Sequence, residues 1–232
     1  MASVFLTAAW RNLVMLNFAI DAHILEPLVP RGVELDLWQG RCYVSIVGFQ
    51  FVDTSVLGIP AFFHRDFEEV NLRFYVVRKT PDGPRRGVVF VREIAPKWFV
   101  TWIANWLYNE NYVTMSMRRR VEPGIAEYEW WHGDRWNRVS ACYEGEPAPL
   151  VHGSEEEFIT EHYWGYTRQR DGSTMEYQVE HPPWRVCQAT KWAFDCDVET
   201  VYGKEFLPYL RDPVSAFVAD GSEIVVRRGE RI

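Results

Sequence analysis

The sequence lacks the signatures of the commoner enzyme chemistries. It has no GxSxG elbow, no glycine-rich phosphate loop, no dinucleotide fingerprint and no HExxH pair, which argues against a hydrolase nucleophile, a nucleotide site and a thermolysin-type zinc centre. Its four cysteines, Cys42, Cys142, Cys187 and Cys196, are scattered without CxxC spacing. That predicts reduced thiols in place of a disulfide framework or zinc site. No uncharged apolar run reaches the length of a membrane-spanning helix. The first ten residues have no basic start and meet Arg11 before a signal-length apolar run forms. A cytoplasmic protein with no membrane partner is the expectation. Acidic residues outnumber basic ones, 32 to 25. The formal net charge is −7, and the single basic cluster, Arg118-Arg119-Arg120, reads as a solvated strand end. With no basic stripe, no nucleic acid partner is expected. Among the basic residues only Lys79, Lys97, Lys191 and Lys204 are lysines, so lysine chemistry has four candidates.

Aromatic residues are abundant: 11 Trp, 11 Tyr and 14 Phe in 232 residues. This composition favours strands and suits either a large aromatic core or the wall of a ligand cavity. The length fits one domain, residues 1–232, able to bury roughly 70–75% of its unfolded surface without a staple. No repeat or long linker divides it.

The pattern along the chain is mainly β. Trp10–Ile20 has helix-like apolar spacing. Arg41–Val52 reads as a strand with Tyr43, Ser45, Val47, Phe49 and Phe51 on one face. Phe67–Arg78 splits more sharply at period two. Val70, Leu72, Phe74 and Val76 form one row; Glu69, Asn71, Arg73, Tyr75 and Val77 form the other. The polar row faces either water or a barrel interior, and for a lone strand water is the default, since charged side chains are seldom buried. Thr80–Pro84 is a turn into the valine-rich strand Arg86–Ile94. After Pro96, Trp98–Leu107 has the spacing of an amphipathic helix. Strands follow at Tyr112–Arg119, Ala126–His132 and Arg135–Tyr143. Ser154 and Glu157 match a capping box. Trp164–Arg170 and Ser173–His181 form a hairpin whose Asp171-Gly172 suggests a two-residue turn. Trp184–Asp195 is a strand, Tyr202–Leu210 a short helix, and Ser215–Ala219 with Glu223–Arg228 a last hairpin. Many strands in hairpin succession with few helices indicate an antiparallel sheet large enough to close.

Two constellations could carry chemistry. Lys97 would sit near a helix N-terminus beside Trp98. The helix dipole, a low-dielectric wall and Arg92 would each depress its pKa, as a Schiff-base nucleophile requires, with Glu93 relaying protons. An exposed lysine in a first helical turn is the simpler reading. With a two-residue turn, His162 would face His181, each beside a glutamate. That pair is a weak metal candidate, a hydrogen-bonded structural pair being the simpler reading. No cofactor is called for, and self-association is left open.

Several segments together resemble one family: Val29-Pro30-Arg31-Gly32 through Leu35-Asp36, Phe67 to Val76, Arg86-Gly87-Val88, Glu161 to Tyr166, and Val179 to Trp184. These look like the YqjF-like family of uncharacterised bacterial proteins, grouped by fold with acetoacetate decarboxylase. The resemblance covers nearly the whole chain. It implies a closed antiparallel β-barrel with a central cavity, flanked by short helices, and it moves the polar row to the interior. It also likens Glu93, Pro96 and Lys97 to the decarboxylase segment whose lysine forms an imine with a β-keto acid. This chain departs from that pattern in having Trp98 where a second lysine is usual. Three functions are therefore in view. The first is binding of a small anionic or carbonyl-bearing molecule by Glu69, Asn71, Arg73 and Tyr75. The others are decarboxylase or lyase chemistry through Lys97, and a purely structural role for the polar row.

Overall fold

The structure, a computed structural model, describes residues 2–61, 65–96 and 111–232. The expected helix Trp98–Leu107, and Lys97 with it, lie outside the described residues. The chain is mainly β. Its strands are β1 (Val4–Ile20), β2 (Glu34–Leu35), β3 (Cys42–Val56), β4 (Ile59–Pro60), β5 (Phe67–Thr80), β6 (Gly83–Ala95), β7 (Tyr112–Thr114) and β8 (Met117–Glu122). They continue with β9 (Ile125–His132), β10 (Arg135–Tyr143), β11 (Ala148–Pro149), β12 (Trp164–Arg168), β13 (Thr174–Glu180), β14 (Arg185–Asp195), β15 (Ser215–Arg227) and β16 (Glu230–Arg231). Short helices α1 (Ala22–Leu25), α2 (Glu155–Thr160) and α3 (Val198–Val201) flank them. No helix among the described residues is long and apolar enough to cross a membrane.

Backbone pairing runs β13–β12–β6–β5–β3–β1–β15 and then returns from β15 to β13 through Val179↔Val226 and Glu180↔Val225. Most pairs are antiparallel, as expected. Two among the described residues are not: β12 pairs parallel to β6 through Trp164↔Gly87, and β7 pairs parallel to β6. The connection from β6 to β12 passes through the outer strands, so β12 arrives in the same direction as β6. Arginines tie the seam. Arg78 (3.0 Å) and Arg85 (2.5 Å) of β5 and β6 hold Glu176 of β13, and Arg227 of β15 holds Glu180 at 2.8 Å.

Alternation along the strands sorts the apolar residues into two clusters. Tyr43, Val47, Phe49 and Phe51 of β3 pack with Phe67 and Tyr75 of β5 and with Met15 and Phe217. The opposite rows, Val44 and Ile46 with Val70, Leu72, Phe74 and Val76, pack beneath Tyr128, Trp130 and Val139 of an outer layer, β8–β9–β10–β14. Both faces of β3 and β5 are therefore covered. Gly48 of β3 permits the contact, because a Cβ there would fall 2.6 Å from the Tyr128 ring.

Three local expectations are corrected. Trp10–Ile20 is strand, not helix. Leu13 to Phe18 is buried on both faces, which erases period two, and a bulge at Asn12 (φ 55°) shifts the register against β3 between Arg11 and Val14. Asp220-Gly221 is not a hairpin turn. β15 continues through it, pairing Arg11↔Gly221 and Leu13↔Ala219. Gly221 (φ 79°) kinks alongside Asn12, where a Cβ would meet the Trp10 carbonyl oxygen at 2.1 Å. The helix expected at Tyr202–Leu210 gives way to α3 and a 3₁₀ turn at Lys204–Phe206, separated by Gly203 at φ 115°. The expected cap holds in its first half, Ser154 Oγ accepting from Glu157 N at 3.2 Å, while the Glu157 carboxylate reaches one residue further back and accepts from Gly153 N, Ser154 N donating to the Val151 carbonyl.

The β6–β12 pairing leaves no room at Gly87. A Cβ there would lie 2.5 Å from the Trp164 carbonyl oxygen and 2.7 Å from the Tyr166 ring. Gly87→Ala should cost about 1–3 kcal/mol by overpacking, seen as a lower urea midpoint. An unchanged midpoint would mean that β12 does not press on β6 as described.

Candidate functional site

The polar row of β5 faces inward. Glu69 and Asn71 are 2% exposed and Arg73 is 8% exposed, so the solvent-facing default is overturned: the outer layer covers the apolar row and leaves the polar row to the interior. There it borders a cavity of about 130 Å³. Glu69, Asn71 and Arg73 line it from β5, Glu93 from β6, His162 from the residues before β12, and His181 from those after β13. Aromatic rings, among them Trp10, Phe49, Tyr112 and Trp184, make much of the remaining wall. Register sets the polar positions: Asn71 lies opposite Val47 and Glu93, and Arg73 opposite Ser45 and Phe90.

Tyr75 continues the row but does not border the cavity. Its hydroxyl is 2.6 Å from Ser45 Oγ, which donates to Asn17 Oδ1 at 2.6 Å. Asn17 in turn donates to Ser215 Oγ at 2.9 Å. This chain of polar contacts joins four strands and fixes the Tyr75 ring, which has the Arg73 guanidinium 5.7 Å from its centroid and the His162 ring at 4.7 Å.

Glu69 accepts from Tyr112 Oη at 2.6 Å and from Asn71 Nδ2 at 2.9 Å. Burial pushes its pKa up to about 7, moderated by those two hydrogen bonds and the Arg73 charge. The carboxyl can thus give or take a proton near neutrality. Burial and the neighbouring Glu69 push the Tyr112 phenol far up, so it stays a donor. Arg73 donates to the Ile159 carbonyl at 3.3 Å, and its Nε is buried without a hydrogen-bond partner. Asn71 Oδ1 is likewise unmet.

The DUF2071 family, described as an uncharacterized conserved protein, matches residues 7–223. The chain belongs to this family. One relative, uncharacterized protein YqjF of Bacillus subtilis (strain 168), is 26% identical over 184 residues, 78% of this chain and 74% of that protein. Among solved structures, acetoacetate decarboxylase from Legionella pneumophila superposes with a TM-score of 0.69 at 12% identity, over 98% of this chain and 87% of that one. The enduracididine biosynthesis enzyme MppR, complexed with pyruvate, superposes with a TM-score of 0.66 at 11% identity, over 100% and 91%. At these identities the likeness is one of fold: this DUF2071 chain has the acetoacetate-decarboxylase-like fold.

The structure does not set His162 opposite His181. The hairpin register is Trp164↔Gln178 and Gly165↔Tyr177, one residue away from a two-residue turn. The loop holds three residues, closed by Gln169 N to Ser173 O at 2.8 Å, with Gly172 at φ 82°. This is the bulged alternative open to any Asp-Gly turn. His162 Nε2 instead meets Asp36 Oδ2 at 3.2 Å. His181 stacks on Trp184, centroids 4.4 Å apart, and its Nδ1 meets the Pro182 carbonyl oxygen at 2.9 Å. Among the described residues no group of three or more His, Cys, Asp or Glu could hold a metal ion.

Sequence reasoning missed Asp36, Arg86 and Tyr112 as parts of the site. Asp36 lies 126 residues from His162, and no spacing rule joins them. Tyr112 sits on β7, beside β6 through a parallel pairing that hairpin reasoning would not propose.

Since the Glu69 pKa is raised in the folded state, its ionisation destabilises the fold. Stability should fall as pH rises from the unfolded carboxyl's range, near 4.5, through about 7. Glu69→Gln should therefore be less stable or neutral at pH 5, and gain relative to the unsubstituted protein at pH 8. Urea unfolding at the two pH values checks this. A difference that does not change with pH would mean an ordinary Glu69 pKa.

Proposed function

We propose that this DUF2071 protein holds a small carboxylate or carbonyl-bearing organic molecule inside a closed barrel formed by the β13–β12–β6–β5–β3–β1–β15 circuit. Arg73 is the anchor, and Asn71 and Glu69 contact the rest of the ligand. The observation that carries this reading is Arg73 itself. It is a buried cation that lines a cavity and, among the described residues, is in no ion pair, and its Nε has no hydrogen-bond partner. A buried cation with no carboxylate in direct contact is costly, and a ligand carboxylate would offset that cost with charge-assisted hydrogen bonds. The size agrees: a dry cavity of roughly 150 Å³ takes up benzene, so about 130 Å³ suits a molecule on the order of six heavy atoms. Acetoacetate and pyruvate, which appear in the names of fold neighbours, are of that kind.

Arg73→Met should weaken binding of a small carboxylate such as pyruvate or acetoacetate about 10- to 100-fold, the worth of a charged hydrogen-bonded contact, while the thermal midpoint is kept or raised. Calorimetric titration reads the first and thermal unfolding the second. If neither these acids nor their hydroxy and unsubstituted counterparts bind the unsubstituted protein, the polar row has a purely structural role.

A second reading, a lyase or decarboxylase acting through Lys97, is favoured by one further observation. Glu93 lines the same cavity on a strand that ends at Ala95, two residues before Lys97. In this reading the lysine amine condenses with a ligand ketone, releasing water, and Glu93 relays the protons. Borohydride reduction in the presence of acetoacetate should then leave a covalent adduct on Lys97 that is absent from Lys97→Ala. No adduct, or an adduct on Lys79, Lys191 or Lys204, would remove this reading and leave binding alone.

A further inference from the structure

His162 is a buried polar side chain of the cavity wall whose hydrogen-bonding character is imposed from outside the cavity. Its side chain is 1% exposed. Nε2 faces Asp36 Oδ2 at 3.2 Å, and the same carboxylate oxygen accepts from Arg86 Nε at 2.6 Å. Burial raises the Asp36 pKa, but the hydrogen bonds from His162 and Arg86 and the Arg86 charge outweigh it and hold the carboxyl below its usual range. Asp36 is thus an anion that only accepts. The imidazole nitrogen facing it must carry the proton. Burial lowers the His162 pKa to about 4, and Arg86 and Arg73 reinforce the shift. The ring is therefore neutral, its proton lies on Nε2, and Nδ1 is a bare lone pair. That Nδ1 is buried and has no hydrogen-bond partner. The ring cannot turn over to satisfy it without breaking the Asp36 contact, and Tyr75 (4.7 Å) and Phe158 (5.2 Å) pack against it.

His162 borders the cavity, and an unmet acceptor on such a residue discriminates by chemistry. It rewards a ligand hydroxyl, and it repels a ligand carbonyl oxygen, which offers another lone pair. An ammonium would also supply a proton, but the arginines that keep a proton off His162 oppose a second cation in the same place. We propose that His162 is a specificity-determining residue that accepts a hydrogen bond from a ligand hydroxyl, so that the ligand class is small hydroxycarboxylates. The carboxylate lies on Arg73 and the hydroxyl on His162 Nδ1, the two groups flanking the Tyr75 ring. This rests on the Arg73 reading and narrows it from carboxylates in general to those bearing a donor. Asp36 and Arg86 act through His162 and are positioning residues.

The test is calorimetric titration of two matched series, lactate with pyruvate and propionate, and 3-hydroxybutyrate with acetoacetate and butyrate. The hydroxy acid of at least one series should bind about tenfold more tightly than both its keto and its unsubstituted partners, the effect of one buried acceptor met against unmet. His162→Phe should abolish that preference and leave the unsubstituted acid within about twofold. Should this variant fail to fold, ¹⁵N spectra of histidine-labelled unsubstituted protein decide. His162 should show a protonated Nε2 and a bare Nδ1 whose resonance shifts when the hydroxy acid, and not the unsubstituted acid, is added. Binding of all three acids with equal affinity, or a proton on Nδ1, overturns the proposal and leaves the Arg73 reading standing. Binding of no acid at all overturns both.

Discussion

The site depends on the burial of β5 on both faces. A strand with one wet face can carry Glu69, Asn71 and Arg73 at no cost. Here the outer layer of Tyr128, Trp130 and Val139 claims the apolar row, and the alternation of the pleat sends the polar row into the interior. Several polar contacts of the interior accommodate that row. Tyr112 and Asn71 satisfy Glu69. The Ile159 carbonyl takes one Arg73 donor. Ser45 and Asn17 complete Tyr75. Atoms of Arg73, Asn71 and His162 that stay unmet mark where the accommodation stops and a ligand could begin.

The interior separates into a supporting network and a recognition surface. Tyr75 belongs to the first: its hydroxyl is committed to Ser45, and its ring is the partition beside which Arg73 and His162 stand. The Asp36–Arg86 pair, outside the cavity, supports it in another way. It fixes a proton on one imidazole nitrogen and so determines the character of the other. Such outer contacts hold a small site rigid, as selectivity among ligands of a few atoms requires.

The sequence makes the period-two split of β5 legible because nothing interrupts its alternation, and the side on which the row falls only through family resemblance. β1 is harder to read. Its two-sided burial removes the alternation, and the bulge at Asn12 shifts the phase, leaving apolar spacing that mimics a helix. Asp220-Gly221 carries a turn signature, yet Gly221 serves as a kink within a long strand because β1 kinks beside it. The 162–181 pairing misled by one residue, since an Asp-Gly step closes two- and three-residue loops alike. The Asp36–His162 contact and Tyr112 come from pairings remote in sequence, which local patterns do not encode. The imine segment is the reverse case: Lys97 is conspicuous in the sequence and lies outside the described residues.

A crystal structure of the protein grown with a small carboxylate, 3-hydroxybutyrate for instance, tests the central claim most directly. The account predicts density for the acid inside the circuit of strands, with its carboxylate within hydrogen-bonding distance of the Arg73 guanidinium. An interior filled by side chains, or an acid bound elsewhere with Arg73 still unmet, would contradict it.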